Sequence, residues 1–129
     1  MELVMRREVL EALLGSAREL HPRETLLLLR GRRKGERVEV TEFLLPPFAQ
    51  RGRGFVGFSL HHLPLDPSLV GTAHSHPSGD LTPSSTDLNR LLGKVMVIVG
   101  FPYRGEGDVA VYDGRGRRVG LRVVAEGEP

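Results

Sequence analysis

The clearest periodicity lies near the start of the chain. Between residues 6 and 20 the apolar positions Val9, Leu10, Leu13, Leu14 and Ala17 recur every three or four residues with charged side chains between them, the pattern of an amphipathic helix that lays one face on a sheet. His21-Pro22 closes it, because the residue before a proline is pushed out of the helical region. A leucine-rich run over 25–29 follows and ends at Arg30-Gly31; four consecutive leucines suit a central strand buried on both faces, although propensity also allows a helix. Residues 31–35 read as a turn, and the alternation in 36–45, ERVEVTEFLL, predicts a strand that pairs with the leucine run as a hairpin.

Pro46-Pro47 ends that strand, an arginine- and glycine-rich loop follows, and Phe55-Val56-Gly57-Phe58 is a short strand candidate. The segment 60–67, LHHLPLDP, holds too many prolines for regular structure. Further strands are expected at 68–76, 94–101, 108–112 and 118–124, with a helix over about 84–92 and a turn at Asp113-Gly114. Apart from the short candidate at 55–58, at most six strands and two substantial helices result, an α/β or α+β sandwich with its site at strand ends.

Composition narrows the class. A chain of 129 residues suits a single domain spanning 1–129. No apolar run approaches the roughly 20 residues that cross a bilayer, so no membrane partner is expected. The charged start lacks the apolar core of a signal peptide, which makes the cytoplasm the expected compartment. There are no cysteines, and their absence removes disulfides, thiolate zinc sites and cysteine nucleophiles together, leaving histidine and carboxylate as the strong metal ligands. Net charge is only +2, yet arginines cluster at 30–34, 51–53 and 115–118 in glycine-rich stretches that read as solvated loop tips. Nucleic acid is not an expected partner, since aromatics are scarce and no recognition module is legible; an acidic protein partner would explain the same clusters.

The candidate chemistry is concentrated in 70–88, VGTAHSHPSGDLTPSSTDL. On a strand, His74 and His76 leave the same face. The turn Pro77-Ser78-Gly79-Asp80 follows, and a helix opening near Ser84 would return Asp87 toward the histidines from its first turn. Alone, Ser84-x-x-Asp87 reads as a helix cap, and a lone His76 before Pro77 would mean little. Together, two imidazoles and one carboxylate suit Zn²⁺ with the fourth tetrahedral position left to water, the make-up of a catalytic zinc site. Asp80 in the turn suits solvent contact or support of a ligand, Ser75 should face away and bond to neighbouring backbone, His21 suits a helix end, and His61-His62 suit an exposed loop.

The spacing His74-Ser75-His76, seven residues, Ser84, two residues, Asp87 resembles the motif of the JAMM (MPN+) metalloproteases. Members also carry an upstream glutamate before an apolar strand ending in glycine, which Glu24 and Gly31 reproduce, and Gly71-Thr72-Ala73 looks like their approach to the histidines. Leu27 departs from the pattern, since many members have glycine three residues after the glutamate. The resemblance implies a cytidine deaminase-like α/β sandwich, a mixed β-sheet flanked by helices. It implies zinc on His74, His76 and Asp87, Glu24 as the base toward the attacking water, and Ser84 as oxyanion support. The residue pattern alone does not select Glu24 over Glu19, Glu36, Glu39 or Glu42. The implied reaction is hydrolysis of an amide bond at the C-terminal tail of a ubiquitin-like or small modifier, or an equivalent carrier-protein tail. Such a tail could add as a strand beside 55–58.

Two other classes compete. A nucleobase deaminase needs His-x-Glu and a Pro-Cys-x-x-Cys pair, and here position 76 is histidine and cysteine is absent. A non-catalytic MPN-type scaffold or interaction domain would not need the ligand set that this chain keeps complete. The modifier, the linkage, the pathway and the oligomeric state are not legible in the residues.

Overall fold

The computed structural model describes residues 1–44, 67–85, 87 and 94–125. In chain order they form β1 (Glu2–Arg6), α1 (Arg7–Leu20), β2 (Leu26–Lys34), β3 (Arg37–Leu44), β4 (Leu69–His76), β5 (Val95–Gly100), β6 (Val109–Asp113) and β7 (Gly120–Val124). The strands make one mixed sheet in the order β6-β5-β4-β2-β3-β1-β7. β2 pairs antiparallel with both β3 and β4, and β5 with β6. β4 and β5 run parallel, as does β1 with β3 and β7. Of the α/β and α+β classes that the residue pattern leaves open, the α/β class implied by the resemblance is the one observed.

Helix α1 buries the five apolar positions its periodicity marks: Val9, Leu10, Leu13, Leu14 and Ala17. They join one cluster with Leu3, Met5, Leu27, Leu29, Val38, Ala73 and Val97 from the sheet, and each fully buried leucine or valine contributes on the order of 1.5–3 kcal/mol. A smaller cluster of Met96, Ile98, Ala110 and Tyr112, with Leu81 packed against it, occupies the other face. β5 is therefore buried along its whole length, which is why VMVIVG is continuously apolar instead of alternating. The two outer strands are drawn together at one end, where Val119 N–H donates to the Val111 carbonyl at 2.8 Å and Tyr112 bridges to Arg118.

Two expectations change. Among the described residues the sheet has seven strands because β1 precedes α1; Leu3-Val4-Met5 is too short an apolar run to announce a strand, and it becomes one by pairing on both sides. The arginine cluster at 30–34 is not a loop tip, since β2 runs through to Lys34. Its charges are matched across the hairpin, Arg30 to Glu42 and Arg32 to Glu39, each at 2.9 Å, the opposite-charge pairing that favours adjacent strands. A bulge follows Arg30. A side chain at Gly31 would drive its Cβ to 1.7 Å from the Glu39 carbonyl oxygen, so the bulge closes only around glycine.

The strand candidate at 55–58, His61-His62, the arginines at 51–53 and most of the helix expected over 84–92 lie outside the described residues, although Ser85 and Asp87 are helical. No helix among the described residues is long and apolar enough to cross a membrane.

Candidate metal centre

His74 stands on the central part of the sheet, paired across to Leu26 of β2 and Ile98 of β5, and only 4% of it is exposed. His76 ends the same strand two residues on, so alternation sends both rings to one face. Its carbonyl accepts from Gly79 N–H at 3.0 Å and Phe101 N–H at 3.2 Å, which ties the strand end to the turn and to the end of β5. Gly79 has φ +85°, a conformation that glycine adopts without steric penalty. The turn continues with the Asp80 carboxylate accepting Thr82 N–H at 2.8 Å, a bond that lowers the Asp80 pKa. Tyr112 then donates its hydroxyl to the Leu81 carbonyl at 2.9 Å, anchoring the returning chain over β6.

Ser84 and Asp87 make a reciprocal cap: Ser84 N–H donates to Asp87 Oδ2 at 2.8 Å and Asp87 N–H to Ser84 Oγ at 3.0 Å. The capping reading of this pair holds, and it does not compete with a ligand role. The same carboxylate reaches His76 Nε2 at 3.0 Å and His74 Nε2 at 3.3 Å. One ligand atom from each of the three residues lies within 4.8 Å of the others. Burial alone would raise the Asp87 pKa; the two imidazoles beside the carboxylate and the bond from Ser84 N–H outweigh it and hold the carboxyl well below its usual range.

The donor set fits a metal ion. His76 Nδ1 lies 2.7 Å from the Asp80 carbonyl oxygen, which can only accept, so Nδ1 carries the proton and Nε2 keeps its lone pair for a cation. His74 Nε2 is buried and meets Asp87 Oδ1 at 3.3 Å without forming a hydrogen bond, a state that burial penalises and that coordination would relieve. A tetrahedral ion with bonds of about 2.0–2.1 Å separates its ligand atoms by about 3.3 Å, close to the 3.3 and 3.0 Å between the carboxylate and the two imidazole nitrogens. Asp80, expected near the ligands, contributes its backbone carbonyl instead of its side chain.

Glu24 lies just before β2. Thr25 N–H donates to Ser75 Oγ at 2.9 Å and Ser75 N–H to the Thr25 carbonyl at 3.2 Å. Leu26 pairs with His74, so these bonds bring Thr25, and with it the exposed Glu24 before it, to the end of β4 that carries His76. Ser75 faces away and bonds to backbone, as expected. Three residues near this junction were not legible as a group: Tyr103, buried, meets His21 Nδ1 through its hydroxyl at 2.9 Å, and Phe101 stacks on His21 at 4.5 Å. His21 is the helix-end residue anticipated, with this second contact that no local pattern signals.

Residues 6–112 match the family described as prokaryotic homologs of the JAB domain. A probable metalloprotease of Haloferax volcanii is 35% identical over 116 residues, covering 84% of this chain and 71% of that protein. The chain belongs to the JAMM/MPN+ family. Among solved structures, a JAB1/MPN domain protein from Archaeoglobus fulgidus aligns with a TM-score of 0.69 at 32% identity, over 96% of this chain and 99% of that one. A structure described as a JAMM metalloprotease-like zinc site in the proteasome and signalosome gives 0.70 at 29%, with the same coverage. A third, from Desulfitobacterium hafniense, shares the fold at 19% identity and a TM-score of 0.66. In this JAMM chain the fold brings His74, His76 and Asp87 together and caps Asp87 with Ser84.

Proposed function

We propose that the protein is a cytoplasmic zinc metallopeptidase that hydrolyses an amide bond at the C-terminal tail of a ubiquitin-like or small modifier protein, or of a sulfur-carrier protein. The observation that carries the reading is the convergence of His74 Nε2, His76 Nε2 and the Asp87 carboxylate around a buried imidazole nitrogen that has no hydrogen-bond partner. The match to a probable metalloprotease supports the reaction class, and the likeness to a structure named for a zinc site in the proteasome and signalosome supports zinc and a modifier-type substrate.

In this reading His74, His76 and Asp87 would hold zinc, which would supply a Lewis acid for the scissile carbonyl and bring the pKa of a water down to about 7. Glu24 takes the proton from the attacking water and returns it to the leaving amine. Ser84 Oγ accepts Asp87 N–H with one lone pair, so its O–H is available to donate to the oxygen where negative charge develops. An extended tail lying along the sheet brings its last carbonyl between Glu24 and the imidazoles.

The test is cleavage of a panel of modifier-protein fusions by the purified protein with zinc added or chelated. Cleavage that needs zinc and disappears in Glu24→Gln, with zinc still bound, is the expected result. Cleavage that survives chelation removes the metallopeptidase reading. Zinc stoichiometry near zero in protein purified without chelator favours the non-catalytic scaffold, and zinc binding with no modifier cleaved turns the substrate toward a peptide.

A further inference from the structure

We infer that the side of the sheet opposite α1, over β2, β3, β1 and β7, docks an acidic protein face, the folded body of the modifier whose tail is cut. The acidic-partner surface stands without the metallopeptidase reading; its role toward a substrate rests on that reading.

Strand register lays the charges out in rows. Leu3, Met5, Val38 and Val40 turn into the α1 cluster, so their neighbours in sequence face the other way. Lys34, Arg37 and Glu2 stand side by side in one row, and Arg32, Glu39, Val4 and Arg122 make the next. Beyond them, Arg6, Arg30 and Arg32 rim a depression of about 480 Å³ with the buried Val4 and Val124 in its lining. The cations outnumber the carboxylates, Glu2, Glu39 and Glu42. Two of those carboxylates are already engaged: Glu39 accepts from Arg32 at 2.9 Å and meets Arg37 at 3.0 Å, and Glu42 accepts from Arg30 at 2.9 Å. Among the described residues no carboxylate lies within ion-pair distance of Arg6, Lys34 or Arg122, and all three are exposed.

Unmatched cations gathered on one face raise a positive potential that draws an acidic partner in and speeds encounter, and planar guanidinium forks match carboxylates in bidentate fashion. Two features favour protein over nucleic acid. No aromatic side chain stands in these rows to stack on a base. Glu2 and Glu39 lie among the cations, where a continuous run of phosphates would meet like charge; spaced acidic side chains on a folded surface avoid them.

The face is also on the metal's side of the sheet. Leu26 pairs with His74, and alternation carries that side through Leu28 to Arg30. From β4 the sheet order reaches β1 through β2 and β3, about 14 Å across, while Arg30 lies about 13 Å along β2 from Leu26. The resulting separation of about 20 Å is the span of about six extended residues. A body seated over the depression therefore sends a short tail to the imidazoles, and its charge acts on capture instead of on the chemical step.

Arg6→Glu with Arg122→Glu reverses two exposed charges and touches neither the metal ligands nor Glu24. In metal-free protein at low salt, a polyglutamate peptide of about ten residues should shift the NMR amide signals of Arg6, Arg32 and Arg122. Its affinity should fall about tenfold on raising the salt to about 0.15 M, and by a similar factor in the double variant. For a modifier fusion that the zinc-loaded wild type cleaves, the double variant should raise KM about tenfold with kcat within twofold, while both proteins cleave the isolated tail peptide equally. Should Arg6→Glu fail to fold, Lys34→Glu with Arg122→Glu makes the same comparison. Signals that move at Arg115 to Arg118 instead, or an affinity that the double variant keeps, overturn the inference. So does an oligothymidine of about ten nucleotides that binds the same amides more tightly than polyglutamate, which makes the face a nucleic-acid surface. An unchanged KM overturns the substrate role. A wild type that cleaves no fusion while polyglutamate binds as expected overturns the metallopeptidase reading and leaves the acidic-partner surface supported.

Discussion

On one side of β4, Ala73 meets α1 and the main apolar cluster; on the other, His74 and His76 face Asp87. The first side is finished: apolar side chains from α1 and the sheet cover one another, and the Tyr103 hydroxyl among them has His21 as its partner. The second is not, for His74 Nε2 is buried without a hydrogen bond and one carboxylate lies beside two imidazoles while it closes a helix cap. A face built for stability is complete in the protein alone, whereas a face built to hold a cation is completed by the cation. Ser75 is the exception that joins them, pointing to the α1 side while its hydroxyl and amide secure the residue next to Glu24.

The contrast can be broken most forcefully with one substitution for each side. Glu24→Gln should reduce kcat by about 10²–10⁴-fold, the range of a positioned acid–base group, with melting temperature and zinc content unchanged; a loss of stability instead would assign Glu24 to the framework. Leu14→Ala should lower the unfolding free energy by about 2–5 kcal/mol, transfer and cavity costs together, as read by urea titration. Molecules of that variant that remain folded should still bind zinc one to one, and a loss of binding would mean the two sides are coupled.

Zinc at a hundredfold excess over its dissociation constant should stabilise the wild type by about 2.7 kcal/mol, visible as a higher melting temperature. His74→Ala should abolish that rise while costing the metal-free protein less than Leu14→Ala does, because its Nε2 makes no hydrogen bond there. A metal-free loss equal to that of the leucine would show that the imidazole is framework after all.

Acid should separate the sides more gently. The Asp87 pKa is lowered in the folded protein from an ordinary 3.8. Its contribution to the metal-free fold is therefore full above that value and is lost as pH falls through it toward the lower folded pKa. Urea midpoints measured from about pH 5 down to about pH 2.5 should fall more steeply for the wild type than for Asp87→Asn, and parallel curves would contradict the assignment. The smallest effect belongs to Arg32→Ala, which should shift stability by about 1 kcal/mol or less because its pair with Glu39 is solvent-exposed on the arginine side; a larger loss would make the hairpin charges structural.

Local patterning announced what depends on near neighbours. The three- and four-residue rhythm of α1, the continuous apolar β5, the β2–β3 hairpin and the pair His74 and His76 all follow from side chains a few positions apart, and the spacing to Ser84 and Asp87 already contained the cap. Glu24 was assigned through the family motif, since nothing nearby distinguishes it from Glu19, Glu36, Glu39 or Glu42. β1 was missed because three apolar residues bury themselves only once β3 and β7 flank them. The arginines at 30–34 were misread because the carboxylates that neutralise them sit on the next strand.

The order of residues therefore determined the helix face, the central strands and the identity of the groups able to hold a metal, because periodicity and spacing act over a few residues. Only the folded chain decided that Asp87 would serve both imidazoles, that Thr25 would bond to a serine 50 positions away, and that a tyrosine would meet a histidine 82 positions before it. Those contacts depend on strand register and on the α1 side of the sheet closing over Tyr103, and both are set by the packing of the whole sheet.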